Sequence, residues 1–224
     1  MKLRTSVQAI AAALIVGAAA TAHAGLPGLS SLPGMGSTSS SNTAVDVDGF
    51  LKNASSAEAL MRTSLDHMTS SLAAKEDIAK IEALKKQASE KTDSKEKEAI
   101  DLEIAKSQAA VLNSIDFDKV AKEDVKKMDA KQKQKLAGAA VNFVLAALKD
   151  KELLGQSSSM LSSLGSNPAN LSKIGTVKDV AGSLKNQLEL AGVLATKVPK
   201  VFTAVGVKNP PTKASDPVAE FQGD

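Results

Sequence analysis

The chain has 224 residues, 43% of them hydrophobic, 24% charged and only 2% aromatic, with no Cys, Trp or Tyr. Without cysteine there is neither a disulfide scaffold nor a zinc-thiolate site, and five Phe are too few to build aromatic platforms for nucleobases or sugars. The formal charge of +3 belongs in part to the N-terminus: without Lys2 and Arg4, 26 of the 28 basic residues face 25 acidic ones, a net of +1. A near-neutral chain with almost no guanidinium lacks the clustered cationic excess of a nucleic-acid binder.

Lys2 and Arg4 precede the apolar run Ala9 to Ala20, and the chain then reads Ala22-His23-Ala24-Gly25. A basic start, a short Ala-rich run and small residues at the positions signal peptidase reads predict a secretory signal peptide over 1–24, cleaved after Ala24. Gly25 rather than Cys follows, which closes the lipid-anchored route. The Ala-x-Ala end suits bacterial export, so the expected location is the periplasm, with external secretion as the alternative. The remaining 200 residues of the 224 are enough to bury about 70% of their unfolded surface without disulfides.

Residues 25–43 combine Gly, Pro and Ser without a charge and are expected to be a flexible leader. Residues 44–208 carry helical signals with no sustained period-2 alternation, so one helical-bundle domain is expected there. At the far end Asn209-Pro210-Pro211 should stop the last helix, leaving 209–224 as a disordered tail.

Within the domain the first helix runs from about Asp46 to Ala73, with an internal start signal, Ser55-Ser-Ala-Glu58, that predicts a break near Asn53. The second covers Lys75 to Ser89, with Ile78, Ile81 and Leu84 on one side and Glu76/Lys80 and Glu82/Lys86 as i,i+4 pairs on the other. Asp93 and Glu96 form the next capping box, and Ile100, Ile104, Val111 and Ile115 then mark a narrow stripe opposite Glu98, Asp101, Lys106 and Gln108. Helices two and three should therefore be an antiparallel pair with a coiled-coil-like seam.

A short amphipathic piece, Phe117 to Met128, leads into the most apolar helix, Lys131 to Leu154, whose centre, Leu136 to Leu148, has Asn142 as its one strongly polar interruption. Such a helix must be surrounded, so it belongs at the bundle centre. Gly155 to Thr176 is dense in Gly, Ser and Asn and reads as two short helices around Asn167-Pro168. From Val177 to Val205 apolar positions step by three and four, predicting one helix roughly 43 Å long, bent at Pro199. The fold class is thus all-α: an irregular bundle of about five to seven helices, with Gly138, Gly182 and Gly192 as points of close packing or bending.

The chemistry of sites is mostly excluded. His67 alone cannot supply a histidine metal site, and no Gly-x-Ser-x-Gly turn offers it a nucleophile. Asp46-Val-Asp48-Gly49 resembles the start of a calcium loop, but positions 6 and 12 would be Leu51 and Ala57, so helix capping accounts for it better. Glu96, Glu98, Asp101 and Glu103 are interleaved with lysines on one helix and read as a solvated face. With no strands, Gly-rich nucleotide-binding loops are out. Asn53-Ala-Ser55 and Asn170-Leu-Ser172 match glycosylation sequons, a weak pattern that carries no weight in a bacterial chain. No catalytic residue, cofactor or metal is expected.

The distinctive resource left is aliphatic surface. The first expectation is a non-enzymatic envelope binding protein that holds a lipid or other apolar small molecule, lined by Leu136, Val141, Phe143, Val144, Leu148, Met160, Leu164, Leu184, Leu188 and Phe202, with segment 155–176 as a lid. The second is a protein-interaction or chaperone-like scaffold that meets an envelope protein through the Lys/Glu-rich second and third helices. The third is a pore-forming type of protein that makes transient membrane contact through the short apolar helix.

Overall fold

The computed structural model describes residues 46–166 and 171–220; the expected signal peptide, the leader and the Asn167-Pro168 break lie outside the described residues. Among those residues there are eight helical segments and no strand: α1 (Val47–Leu72), α2 (Lys75–Ser89), α3 (Ser94–Ser114), α4 (Phe117–Lys122), α5 (Asp124–Lys127), α6 (Ala130–Gly165), α7 (Leu171–Leu194) and α8 (Val198–Val205). The chain is an all-α bundle, with seven helices if α4 and α5 are taken as the one bent piece expected over Phe117 to Met128.

Helix α1 starts where Asp46 accepts a 2.8 Å hydrogen bond from the Gly49 backbone N–H, so the Asp-x-Asp-Gly run is a helix cap. A Cβ at Gly49 would stand 2.2 Å from that carboxylate, so a larger residue there would push the Asp46 side chain out of its capping position. The break expected near Asn53 does not occur. Val47, Phe50, Ala54, Ala57, Met61, Leu65 and Met68 form one continuous buried face, and burying it outweighs a cap worth about 1 kcal/mol. Ser56 Oγ folds back onto the Lys52 carbonyl at 2.9 Å, and Glu58 is committed to Arg62.

Helix α2 has the expected bounds and α3 the expected start; α3 ends at Ser114, with Ile115 as its C-cap and packed against the first core rather than the seam. Asp93 caps α3 through the Lys95 and Glu96 N–H groups, but the reciprocal half of the expected capping box is not made, because Glu96 Oε2 pairs with Lys91 at 2.9 Å across the turn. Ile81 and Ala88 pack on Ile100 and Ile104 in a small core of their own, flanked by Leu84 and Val111. The exposed ion pairs differ from expectation: Lys80 meets Asp77 and Lys85 meets Glu82, both at i,i+3, in place of the i,i+4 pairs.

The central helix is α6, opened by a complete capping box between Asp129 and Gln132. It does not end at Leu154 but runs on to Gly165, 36 residues in all, through the whole first half of the Gly/Ser-rich segment. The hydroxyls that read as loop chemistry bond inside the helix: Ser157 to Leu154 O, Ser162 to Ser158 O and Ser163 to Ser159 O, at 2.7–3.1 Å. Leu171 to Thr176 is likewise the first part of α7, so the described residues of the expected lid are two helix ends.

Two cores run along α6. The first joins Leu60, Met61, Leu65 and Met68 of α1 to Leu136, Ala139, Phe143 and Leu145 of α6, with Ala105 to Leu112 of α3, the end of α7, and α8. The second joins Val47 to Ala57 of α1 to Leu153 and Leu164 of α6 and to Val177 and Leu184 of α7. The pairing of early α1 with late α6, and the reverse, makes both α1 and α7 antiparallel to α6. Of the three glycines expected to allow close packing, Gly138 is buried, but Gly182 and Gly192 are exposed with open space where a Cβ would be.

The expected bend at Pro199 is instead a full break three residues earlier. Proline has no N–H to donate into a preceding turn, so the chain closes α7 with the Lys197 N–H on Leu194 O and restarts with Pro199 in the first turn of α8, where the missing donor costs nothing. Lys197 then donates to Ile115 O at 3.1 Å and lies over the Phe117 ring, and Lys200 pairs with Asp118 at 2.9 Å, holding that carboxyl below its ordinary value. Nor do the prolines at 210 and 211 end α8. Gly206, at φ +80°, ends it, with its own N–H and that of Val207 both donating to Phe202 O. A Cβ there would meet nothing, so Gly206→Ala carries a backbone cost alone and is expected to lose about 1 kcal/mol, read as a lower urea midpoint at unchanged slope.

Candidate functional site

The ten residues expected to line an apolar cleft are not brought to one place. Leu136, Phe143 and Phe202 are buried in the first core with Val141 and Val144 packed against it; Leu164 and Leu184 are buried in the second with Met160 against it; Leu148 and Leu188 are half-buried. Among the described residues, Val193 is the one large apolar side chain that is exposed.

The polar side chains assemble more specifically. Three helices far apart in sequence, α1, α3 and α7, enclose a groove of about 540 Å³. Its α1 wall carries Glu58, Met61 and Arg62; α3 supplies Lys95, Glu98, Asp101 and Leu102; α7 supplies Lys178, Asp179, Ser183, Asn186 and Gln187, with Gly182 leaving the wall open. Arg62 is its organiser. The guanidinium reaches Glu58 at 2.5 Å on its own helix and Asp101 at 2.6 Å on α3. Burial alone would lower its pKa, but the Asp101 hydrogen bond and the two carboxylate charges win and raise it above the ordinary value.

Arg62, Asp101 and Ala105 also form one wall of a smaller cleft of about 200 Å³ between α1, α2 and α3. There Lys85 stands 3.0 Å from Asp66 and 3.1 Å from Glu82, and Gln108 donates its amide N–H to Asp66. For Lys85 as well, desolvation is opposed by the Asp66 hydrogen bond and carboxylate charges, and the pKa rises. The side of α3 expected to be solvated is therefore partly an interface: Gln108 is buried and Asp101 half-buried, while Glu98 and Glu103 stay exposed.

On α6, between Ala146 of the first core and Leu153 of the second, lies Asp150. It is completely buried, and neither carboxylate oxygen has a hydrogen-bond partner. Burial first, and the charge of Glu58 second, push its pKa up to about 7. Gln187 of α7 donates to Ser183 Oγ at 3.3 Å, and its Oε1 is unsatisfied. Glu58 thus links a surface ion pair on one side to a buried carboxyl on the other.

No protein-family model, curated protein or solved structure matches this chain.

Among the described residues no group of three or more His, Asp or Glu is placed to hold a metal ion, and no helix is long and apolar enough to cross a membrane. His67 is half-buried on α1. The groove could not be read from periodicity, because a helix pattern reports that Arg62 or Asp101 is polar, not that the two meet across 39 residues. The recurrence of Asn142, Asp150 and Ser157 on the buried face of α6, eight and seven apart, is legible in the sequence, but it marks polar points of the interior, and none of the three lines the groove.

Proposed function

We propose that this is an exported, non-enzymatic helical interaction protein of the bacterial envelope, which holds a segment of a partner protein along the groove between α1, α3 and α7. The observation that carries the reading is the groove's mixed charge: Lys95, Glu98, Lys178 and Asp179 line it around the Arg62–Asp101 pair, with Ser183, Asn186 and Gln187 offering neutral hydrogen-bonding groups. Such a surface complements a polypeptide that carries both charge signs and free main-chain groups, and its charges select partner and register more than they add affinity. An apolar ligand finds less support, since the side chains it would need are spent on helix packing.

The test is photo-crosslinking of the full chain in its own cells, with the reactive group at Ser183 inside the groove or at Lys208 outside it. Ser183 should give a discrete adduct that Lys208 does not, and Lys95→Glu with Lys178→Glu should cut its yield about tenfold, as expected when complementary charges are reversed. Identical adducts from both positions, or a Ser183 adduct indifferent to the charge reversal, would sink the reading. Native mass spectrometry showing a co-purified apolar mass instead would move the conclusion to the lipid-binding alternative.

A further inference from the structure

Asn142 sits in the apolar stretch of α6 with none of its surface exposed, and its amide is satisfied by the far end of the same chain. Its Nδ2 donates to the Ala219 carbonyl at 2.8 Å, and the Ala219 N–H donates back to its Oδ1 at 2.8 Å. Both bonds go to the main chain of one residue, as they would from a neighbouring β-strand, and neither involves the Ala219 side chain. Next to it, Val218 packs against the first core. Where the sequence leads one to expect a loose tail, the described part of it is seated, with Asp216 accepting from the Thr212 and Lys213 N–H groups in a tight turn just before the contact.

We propose that this seat on α6 is a peptide-binding site, masked by the chain's own C-terminal segment, and that its ligand is an extended segment of a partner polypeptide with a branched aliphatic residue followed by a small one. The occupant in place defines the chemistry: a Val to enter the core, then an Ala that leaves room and presents its own N–H and C=O. Because recognition falls on the main chain, other sequences of that pattern satisfy it equally. Asn142 itself argues for an exchangeable occupant. An aliphatic residue would pack better in this stretch, whereas an asparagine demands a partner for two groups whenever the seat is empty. Pro210, Pro211 and Pro217 keep the segment out of helix, so it remains a strap that lifts without unwinding α8, which Gly206 has already closed. This site is separate from the groove between α1, α3 and α7 and does not depend on it.

The test uses the full chain with Ala219→Pro, which removes the donated N–H, and a fluorescein-labelled synthetic peptide of residues 212–220. Anisotropy should show the peptide binding the variant at least about tenfold tighter than the unaltered chain, where the tethered segment competes at high effective concentration. N-methylation of the peptide at Ala219, or Asn142→Leu added to the variant, should each weaken binding by about tenfold or more, since each deletes one face of the paired contact. In the unaltered chain, millimolar free peptide should speed hydrogen exchange at the Ala219 amide, a reading that needs no variant to fold. Equal binding to both chains, indifference to N-methylation, or an Ala219 amide that free peptide leaves protected would each overturn the proposal. So would a chain that exchanges its segment only with a second copy and forms dimers in its place.

Discussion

Asp150→Asn is expected to stabilise the protein at pH 8 and to leave its stability almost unchanged at pH 3.5. The direction follows from which state holds the proton. In the unfolded chain the carboxyl ionises near 3.8, but in the folded protein it stays protonated up to about 7. Between those values the folded state binds the extra proton, so raising the pH favours unfolding by about 1.4 kcal/mol per pH unit, and the loss is complete once the pH passes the folded value. Three such units put the full penalty on the order of 4 kcal/mol. The Asn amide is neutral throughout and, like the protonated acid, has no partner, so the gain at pH 8 should approach that penalty, roughly 3–4 kcal/mol. For a chain of this size that corresponds to roughly 6–16 °C in Tm. Urea titrations at pH 3.5, 5.5 and 8 check it: the wild type should lose stability relative to the variant across that range, and parallel profiles would show that Asp150 is solvated or paired in solution.

Phe143→Ala should cost about 3–5 kcal/mol, and Leu184→Ala about 2–5 kcal/mol. Phe143 is 2% exposed and Leu184 is 1% exposed, and each is enclosed by a different core. Truncation leaves a cavity in addition to the lost transfer energy, because helices fixed by their other contacts collapse only in part. The size of the effect separates two roles for these side chains. Had they lined an open cleft for an apolar ligand, removing them would enlarge the cleft at little cost to the empty protein. As core residues they should lower the denaturation midpoint sharply, whether or not a ligand is present. Guanidinium or urea unfolding of the two variants decides it, and a loss below about 1 kcal/mol in both would return them to the ligand-lining reading.

What could be read in advance was local. Asp93 capping α3, the polar turn after Ser89 and the stripe Ile81, Ile100 and Ile104 are all set within a few residues, and the α2–α3 hairpin has the expected ends. Expectations failed where local preference and packing disagreed. The second capping box in α1 loses to a buried face that runs straight through it. The serines after Gly155 satisfy their hydroxyls on helix carbonyls, so a composition typical of loops continues α6. The periodic run from Val177 to Val205 predicts one helix bent at Pro199, but the chain ends α7 at Leu194 and restarts at Val198, so the proline sits in a first turn rather than at a bend. The groove itself was not legible, because its walls come from positions such as Arg62, Asp101 and Gln187 that only the tertiary fold brings together. Asn142 stands out in its apolar run, but the residue that satisfies it lies 77 positions away.

The length of α6 decides where this chain can be divided. Because one uninterrupted helix supplies residues to both cores, a cut near its middle would leave neither half with a complete interior, and no pair of fragments split there would have reason to fold apart. The turn at 90–93 is the opposite case, mostly exposed and contributing nothing to any core. New termini, or an inserted reporter domain, belong there, at the tip of the α2–α3 hairpin.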